Sequence, residues 1–557
     1  MLLQIKSRLV IEEGSTGEIE KTPGWKRLLG VLRPSRAHTA STATILLMIS
    51  TLLSSLIGLV RTKYIAYLFG SSMDADAFNA AFVLPDMILY FLVGGAASVT
   101  FVTMLTRYRE AGRESEAERS LSVILTTMLL VLGTAILIAE VLAPYYVKWC
   151  FNGFSADKTA LCVQLTRILL PGPLFFFAGG LLGSVLLVRK QFTIQAMTPL
   201  IYNLGTIFGG VLLVKKMGVS SLALGTTAGA FFGPFLLNWI FVRRAGTRVK
   251  PVLDWKDEGL HEWVKLSLPL IVGVSLVTAD SWIISHFASS TNGAISLMNY
   301  AKRLFTAPMA VLAQAAGVAT MPFFASLWSK GKRFEFATGV ADSVSRVVSL
   351  GFLMASGLMA LAVPLVNVLF VGGRFSRADA GWFAAYFSIF CLSMFLWSAQ
   401  TIYARAFYAA GNTFVPMVAG TIVTIVSLPI YAGLYNWQGA TGLAIASDLG
   451  ITLQTLTLAV LLHQRRMVSL ASLDFEEIGR CVLAALAAGG TVWLVLSVGV
   501  RLLMEALHRN AGATGWLGDL LVLAAGSALW TVVAWGVLER TGSALPQVVM
   551  KRMRLAK

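Results

Sequence analysis

Along nearly the whole chain, long apolar runs alternate with short polar stretches, and this alternation carries most of what the sequence says about shape. Such runs lie near 40-60, 78-105, 120-144, 160-187, 193-214, 219-242, 264-288, 295-326, 338-370, 379-409, 414-435, 440-462, 477-499 and 515-538. Each is long enough to cross a hydrocarbon core of about 30 Å as a helix, and only structures that satisfy their own backbone groups can do so. The pattern predicts an all-α polytopic membrane protein with about 14 transmembrane helices. Prolines fall inside many of the runs, among them Pro85, Pro199, Pro308 and Pro429. Each removes a helix hydrogen bond and is expected to bend its helix.

The runs also repeat. Leu142-Ala143-Pro144, followed by Phe154-Ser155-Ala156-Asp157, returns as Ala362-Val363-Pro364 and Phe375-Ser376-Arg377-Ala378-Asp379, at an offset of about 220 residues. Gln191-Phe192-Thr193 is echoed in the same way by Gly411-Asn412-Thr413. Spans one to six therefore pair with spans seven to twelve, giving two pseudo-symmetric six-helix lobes plus two C-terminal helices. The expected boundaries are a basic tail at 1-38, an N-lobe at 39-245, a C-lobe at 246-466, and the two extra helices with a basic tail at 467-557. With an even number of spans per repeat, both halves enter the bilayer in the same sense, an arrangement that transporters use to build a cavity between halves.

Composition agrees with a bilayer protein, at 56% hydrophobic and 13% charged residues, with a mean hydropathy of +0.74. The formal charge of +17 is informative through its placement. Of the 45 lysines and arginines, 30 fall in the N-terminal tail, the even-numbered loops and the C-terminus, and 10 in odd-numbered loops. By the positive-inside rule both termini are expected in the cytoplasm, in a bacterial inner membrane. No basic stripe is interleaved with aromatics, so nucleic-acid binding is not expected. The four cysteines and five histidines are scattered, with no metal-ligand spacing, nucleophile triad or phosphate-binding glycine loop. No enzymatic activity, metal or cofactor is expected.

Charges inside apolar runs are costly, by about 2.5–3.5 kcal/mol at mid-bilayer on insertion scales, and usually face a cavity or a partner. Lys302 and Arg303 lie deep in the eighth run. Arg61 ends the first, where snorkelling to the interface is an alternative to a cavity role. Asp86 and Asp280 are the acidic counterparts, each either neutralising a cation across the bundle or coupling transport to a monovalent cation. The balance of Arg61, Lys302 and Arg303 is positive, which suits an anionic head group such as a diphosphate, because guanidinium donors match phosphate oxygens.

The segment Gly58-Leu59-Val60-Arg61, Ala66-Tyr67-Leu68-Phe69-Gly70 and Asp76-Ala77-Phe78-Asn79-Ala80-Ala81-Phe82-Val83-Leu84-Pro85 resembles the N-terminal signature of the MurJ (MviN) lipid II flippases. Asn299-Tyr300-Ala301-Lys302-Arg303-Leu304 and Ala404-Arg405-Ala406-Phe407-Tyr408-Ala409-Ala410-Gly411-Asn412-Thr413 are similar to further motifs of that family. The resemblance implies the multidrug/oligosaccharidyl-lipid/polysaccharide exporter fold. It also implies translocation of undecaprenyl-diphosphate-linked disaccharide-pentapeptide from the inner to the outer leaflet. Carried over by position, Arg61, Asp76 and Arg303 match functional residues, the two arginines in a central cavity. The candidate substrate-binding group is thus Arg61, Lys302, Arg303 and Asp76. The chain departs from the family at Ser55 and Leu89, where arginines are usual, and at Gly94-Gly95-Ala96.

The expected mechanism is alternating access, with lipid II or a related polyprenyl-diphosphate glycan as cargo and membrane potential or a monovalent cation as drive. A flippase for another polyprenyl-linked oligosaccharide is the second reading. A third is a non-transporting scaffold that recruits cell-wall enzymes through residues 1-38.

Overall fold

The apolar runs are helical, and some of them are interrupted. A computed structural model of the chain describes residues 40–547 and 550, apart from 273–274, 318–319 and 500–514. The expected tail at 1–38 and residues 551–557 lie outside the described part.

The first half contains α1 (Ala40–Phe69), α2 (Met73–Ala81), α3 (Val83–Ile88), a π-helical turn at Leu89–Val93, α4 (Gly94–Glu110) and α5 (Glu114–Cys150). It continues through α6 (Ala156–Leu169), α7 (Gly172–Val188), α8 (Phe192–Met217), α9 (Ser220–Ala230), a π-helical stretch at Phe231–Leu237, and α10 (Asn238–Arg244). The second half contains α11 (Glu258–Val272), α12 (Leu276–Phe287), α13 (Ala294–Gly317), α14 (Thr320–Ser329), α15 (Arg333–Ala360) and α16 (Ala362–Phe370). Then come α17 (Arg377–Leu392), α18 (Met394–Ala409), α19 (Phe414–Gln438) and α20 (Ala440–Gln464), with α21 (Phe475–Leu494) and α22 (Trp516–Arg540) outside the repeat.

Among the described residues ten helices are long and apolar enough to cross a bilayer, and eleven if α17 and α18, bent by 44°, count as one span. Expected spans two and seven fall short of that measure because they are divided into shorter helices, and in span eight α13, though 24 residues long, is too polar around Asn299, Lys302 and Arg303. Span two is divided into α2, α3, the π-turn and α4 around Phe82 and Pro85. In span seven a helix starts anew at α12, with Ser275 as its N-cap. Span eight is described as α13 and α14, on either side of residues 318–319. Freed backbone groups of this kind are tolerated where neighbours or a water-filled cavity satisfy them.

The repeated sequence motif has a local structural reason. Ser155 caps α6, its hydroxyl accepting from the Lys158 amide. Ser376 caps α17 in a capping box with Asp379, whose carboxylate accepts the Ser376 amide at 2.9 Å. Both serines start a helix after a tight turn, satisfying donors that the first helical turn leaves free.

Two of the apolar cores belong to single lobes and one is shared. Phe101, Leu121, Ile124 and Phe177 pack within the first lobe, and Phe324, Phe336, Phe407 and Leu458 within the second. The shared core joins Ile65, Phe69, Phe78, Phe151 and Leu165 to Tyr300, Phe370, Phe383 and Phe387. Fused cores at one end and separate cores at the other describe lobes closed at the end where α1 finishes. At the opposite, arginine-rich end, the 245–257 segment runs along α5: the amides of Arg248, Lys250 and Val252 donate to Glu118, Ser122 and Thr126. Arg119 pairs with Asp254 at 2.9 Å, and that pair together with the Lys256 amide lowers the Asp254 carboxyl below the usual range.

Between α11 and α12 the chain changes the lobe it packs against. Helix α11 packs on α4 and α5, whereas α12 packs on α19 and α20. The reason is Trp263, buried in the first lobe's core at 6.2 Å from the Phe177 ring; burying such a side chain is worth about 1.5–3 kcal/mol. Helices α21 and α22 attach to the second lobe through Leu353, Cys481, Ala484 and Leu538. Asp519 of α22 is held by Arg377 at 2.8 Å and Asn367 at 3.2 Å.

Candidate functional site: a cationic cavity between the lobes

Helices α1, α2, α3, α8, α12 and α13 enclose a cavity of about 450 Å³. Its charged lining is Arg61 and Asp86 from the first lobe and Lys302 and Arg303 from the second, with Asn79, Tyr202, Trp282, Asn299 and Thr306 among the other contributors. Both the uninterrupted helices α1 and α8 and the shorter helices α2, α3 and α12 contribute to the lining. The cavity brings together four of the six residues singled out in the sequence.

Arg61 does not snorkel. Its guanidinium lies over the Tyr202 ring, 5.7 Å from the centroid, and its Nε and Nη1 are buried without a hydrogen-bond partner among the described residues. Buried donors left unpaired cost about 1–3 kcal/mol each, more for charged groups, so this arginine is held ready for an acceptor the protein does not supply. Arg303 reaches across from the second lobe and passes Gly58 of α1; a Cβ there would lie 3.9 Å from its Nε and Nη2. Asp86 is the lone carboxylate among the lining residues. The Tyr90 ring meets Trp282 edge-on at 5.7 Å, an aromatic contact between lobes at the cavity wall.

Asp280 stands behind the lining. Only 2% exposed, its carboxylate is paired with Lys302, accepts from the Tyr431 hydroxyl, and accepts from Ser447 at 3.0 Å. Next to Ser447, Asp448 accepts from Ser393 at 2.6 Å.

Asp76 is not in the cavity. Fully buried at the closed end, it pairs with Lys158 at 2.8 Å. It also accepts the backbone amides of Gly293 at 2.7 Å and Ser296 at 2.9 Å, and the Ser296 hydroxyl. These amides open α13, so an N-lobe carboxylate caps a C-lobe helix, where the helix dipole favours negative charge. The same end is closed by Arg374 donating its amide to the Tyr67 carbonyl at 2.9 Å and Tyr300 its hydroxyl to the Gly70 carbonyl at 3.2 Å. Gly70, at φ +60°, allows this approach; a Cβ there would come 2.5 Å from the Arg374 carbonyl oxygen. The resemblance gave Asp76 importance, and its geometry makes that importance one of joining the lobes.

Sequence reasoning missed Lys158, Tyr202, Tyr431 and Ser447, and left the role of Asp448 open. Asp448 carried the only signal, as an acid inside an apolar run. At the positions where the family's arginines are usual, neither Ser55 nor Leu89 borders the cavity, and the Ser55 hydroxyl turns back to the Thr51 carbonyl at 2.9 Å.

Two helical lobes, closed together at one end around a buried cationic cavity, define a multi-pass membrane transporter. A family model for the lipid II flippase MurJ matches residues 65–510, and the chain belongs to that family. It is 28% identical over 488 residues to the "Probable lipid II flippase MurJ" of Vibrio cholerae, covering 84% of this chain and 91% of the relative. It is 28% identical over 505 residues to that of Haemophilus influenzae, covering 85% and 96%. The fold superposes on a solved structure of "Lipid II flippase MurJ, inward closed conformation" with a TM-score of 0.70 at 20% identity, covering 89% of this chain and 99% of that one. It also matches an inward-facing MATE family transporter of the MOP superfamily with a TM-score of 0.62 at 14% identity, covering 76% and 98%.

Proposed function

We propose that the chain moves lipid II across the bacterial inner membrane, with Arg61, Arg303 and Lys302 receiving the diphosphate. The observation that carries this reading is Arg61, whose Nε and Nη1 are buried and unpartnered beside Arg303 in a cavity shared by both lobes. Charge-assisted bonds from guanidinium to phosphate oxygens would satisfy those donors.

The substrate also needs room for its hydrocarbon tail. An apolar groove of about 520 Å³ runs between α15, α17 and α21, lined by Phe352, Met359, Leu392, Leu486, Gly490 and Trp493. Because α21 and α22 are fixed to the second lobe, the groove travels with Lys302 and Arg303.

Transport proceeds by alternating access. Arginine-rich loops mark the cytoplasmic side, so the end closed by Asp76 faces outward and both termini face inward. Opening the outer end requires the α13 cap to part from Asp76, while closing the inner end brings the separate cores together. Each elementary charge carried through the field is worth about 2.3 kcal/mol per 100 mV, which makes the membrane potential a source of drive; Asp86 is the carboxylate placed to exchange a monovalent cation with cavity water.

Purified protein in proteoliposomes tests the reading, with lipid II compared against other polyprenyl-diphosphate glycans. Preferential translocation of lipid II supports it. Equal or better translocation of another glycan replaces the substrate assignment, and absence of any translocation removes it.

A further inference from the structure

Lys302 has two possible partners, and the structure contains one of them. Its side chain is 21% exposed and borders the cavity, yet its ammonium is turned to Asp280, which lies behind the lining at 3% side-chain exposure. The Phe390 ring is 5.3 Å away and offers its face to the cation. Asp448, next to Ser447, keeps one carboxylate oxygen buried with no hydrogen-bond partner among the described residues. Among the described residues the ammonium's ion-pair partner is Asp280. Asp280 is not dependent on it alone, since Tyr431 and Ser447 also donate to its carboxylate.

We propose that Asp280 and the substrate diphosphate compete for Lys302, so that Asp280 sets how tightly the cavity holds its anion and draws the ammonium back at release. The proposal rests on the diphosphate reading above. Every group in the contest belongs to the second lobe: Asp280 on α12, Lys302 on α13, Tyr431 on α19, and Ser447 on α20. Arg61 belongs to the first. When the lobes part around the cargo, Arg61 separates from the others, while Lys302 keeps its alternative partner within reach. Its return to Asp280 leaves the diphosphate one cation poorer at the moment it must leave. The Tyr431 and Ser447 hydroxyls keep the carboxylate hydrogen-bonded while Lys302 is away, which lowers the cost of an exchange that would otherwise strand a buried charge.

The test is binding of a short-chain polyprenyl diphosphate to the full-length protein in nanodiscs, read beside lipid II turnover. Asp280→Asn is expected to bind the probe about tenfold more tightly and to turn over more slowly, because release is impaired. Lys302→Met should bind more weakly, and the double variant should match Lys302→Met, since without the ammonium there is nothing to compete for. Ser447→Ala gives the opposite sign to Asp280→Asn: a carboxylate with one donor fewer holds Lys302 harder, and affinity falls. Unchanged or weaker binding in folded Asp280→Asn overturns the proposal, as does unchanged affinity in Ser447→Ala should Asp280→Asn not fold. Failure of the wild-type protein to bind the probe, or full binding by Arg61→Ala/Arg303→Ala, overturns the cavity reading instead.

Discussion

Asp76 in the first lobe accepts the backbone amide of Gly293 in the second at 2.7 Å, a bond that ties the lobes at their closed end, while Lys158 of the first lobe pairs with the same carboxylate oxygen. Replacing the carboxylate leaves the Lys158 ammonium buried and uncompensated, a loss of about 3–5 kcal/mol when one partner of a buried pair is removed. Asp76→Asn is expected to shift the lobes toward opening at that end. In a background without the native cysteines, a cysteine at Asn79 should react faster with an outside-added thiol reagent in Asp76→Asn than in its parent.

The same closure can be locked. Ser71 donates to Asp379 across the lobes at 2.5 Å, so a pair of cysteines at these positions would report on closure of this end. Oxidised Ser71→Cys/Asp379→Cys protein should cross-link and stop translocating lipid II, and reduction should restore the rate.

Arg61 sets function against stability. Its unpartnered Nε and Nη1 destabilise the empty protein, so Arg61→Ala should melt at a higher temperature, by an amount corresponding to about 1–3 kcal/mol, while binding of polyprenyl diphosphate weakens. A thermal shift assay and a binding isotherm on the same preparation check both signs.

The tail groove predicts a dependence on chain length. Gly490 lines it and faces open space, so Gly490→Trp fills the groove without a backbone clash. Translocation of full-length lipid II should fall, while that of a short-chain analogue should stay near the parent rate; equal losses for both would remove the groove from the pathway.

Legibility followed the physics of each feature. Uninterrupted spans such as α5 and α19 could be read directly, because a bilayer demands long apolar runs and little else satisfies them. The broken spans were legible as apolar but not as broken: Pro85 hinted at the interruption around Phe82, whereas the restart at Ser275 depends on packing. Arg61, Lys302 and Arg303 stood out because charge in an apolar run is costly wherever it points. Their partners did not, since Tyr431 and Ser447 meet Asp280 across sequence separations of 151 and 167 residues. The core on which α11 packs was not legible for a similar reason. Trp263 looks the same in sequence whichever core receives it, and only the fold puts it beside Phe177.

Lipid II translocation by proteoliposomes containing wild-type, Arg303→Lys and Arg303→Glu proteins tests the cationic cavity most directly. Arg303→Glu should fold and fail, because a carboxylate would face the diphosphate, and Arg303→Lys should retain partial activity, since it keeps the charge but loses the fork of donors. Wild-type rates in folded Arg303→Glu would contradict the account.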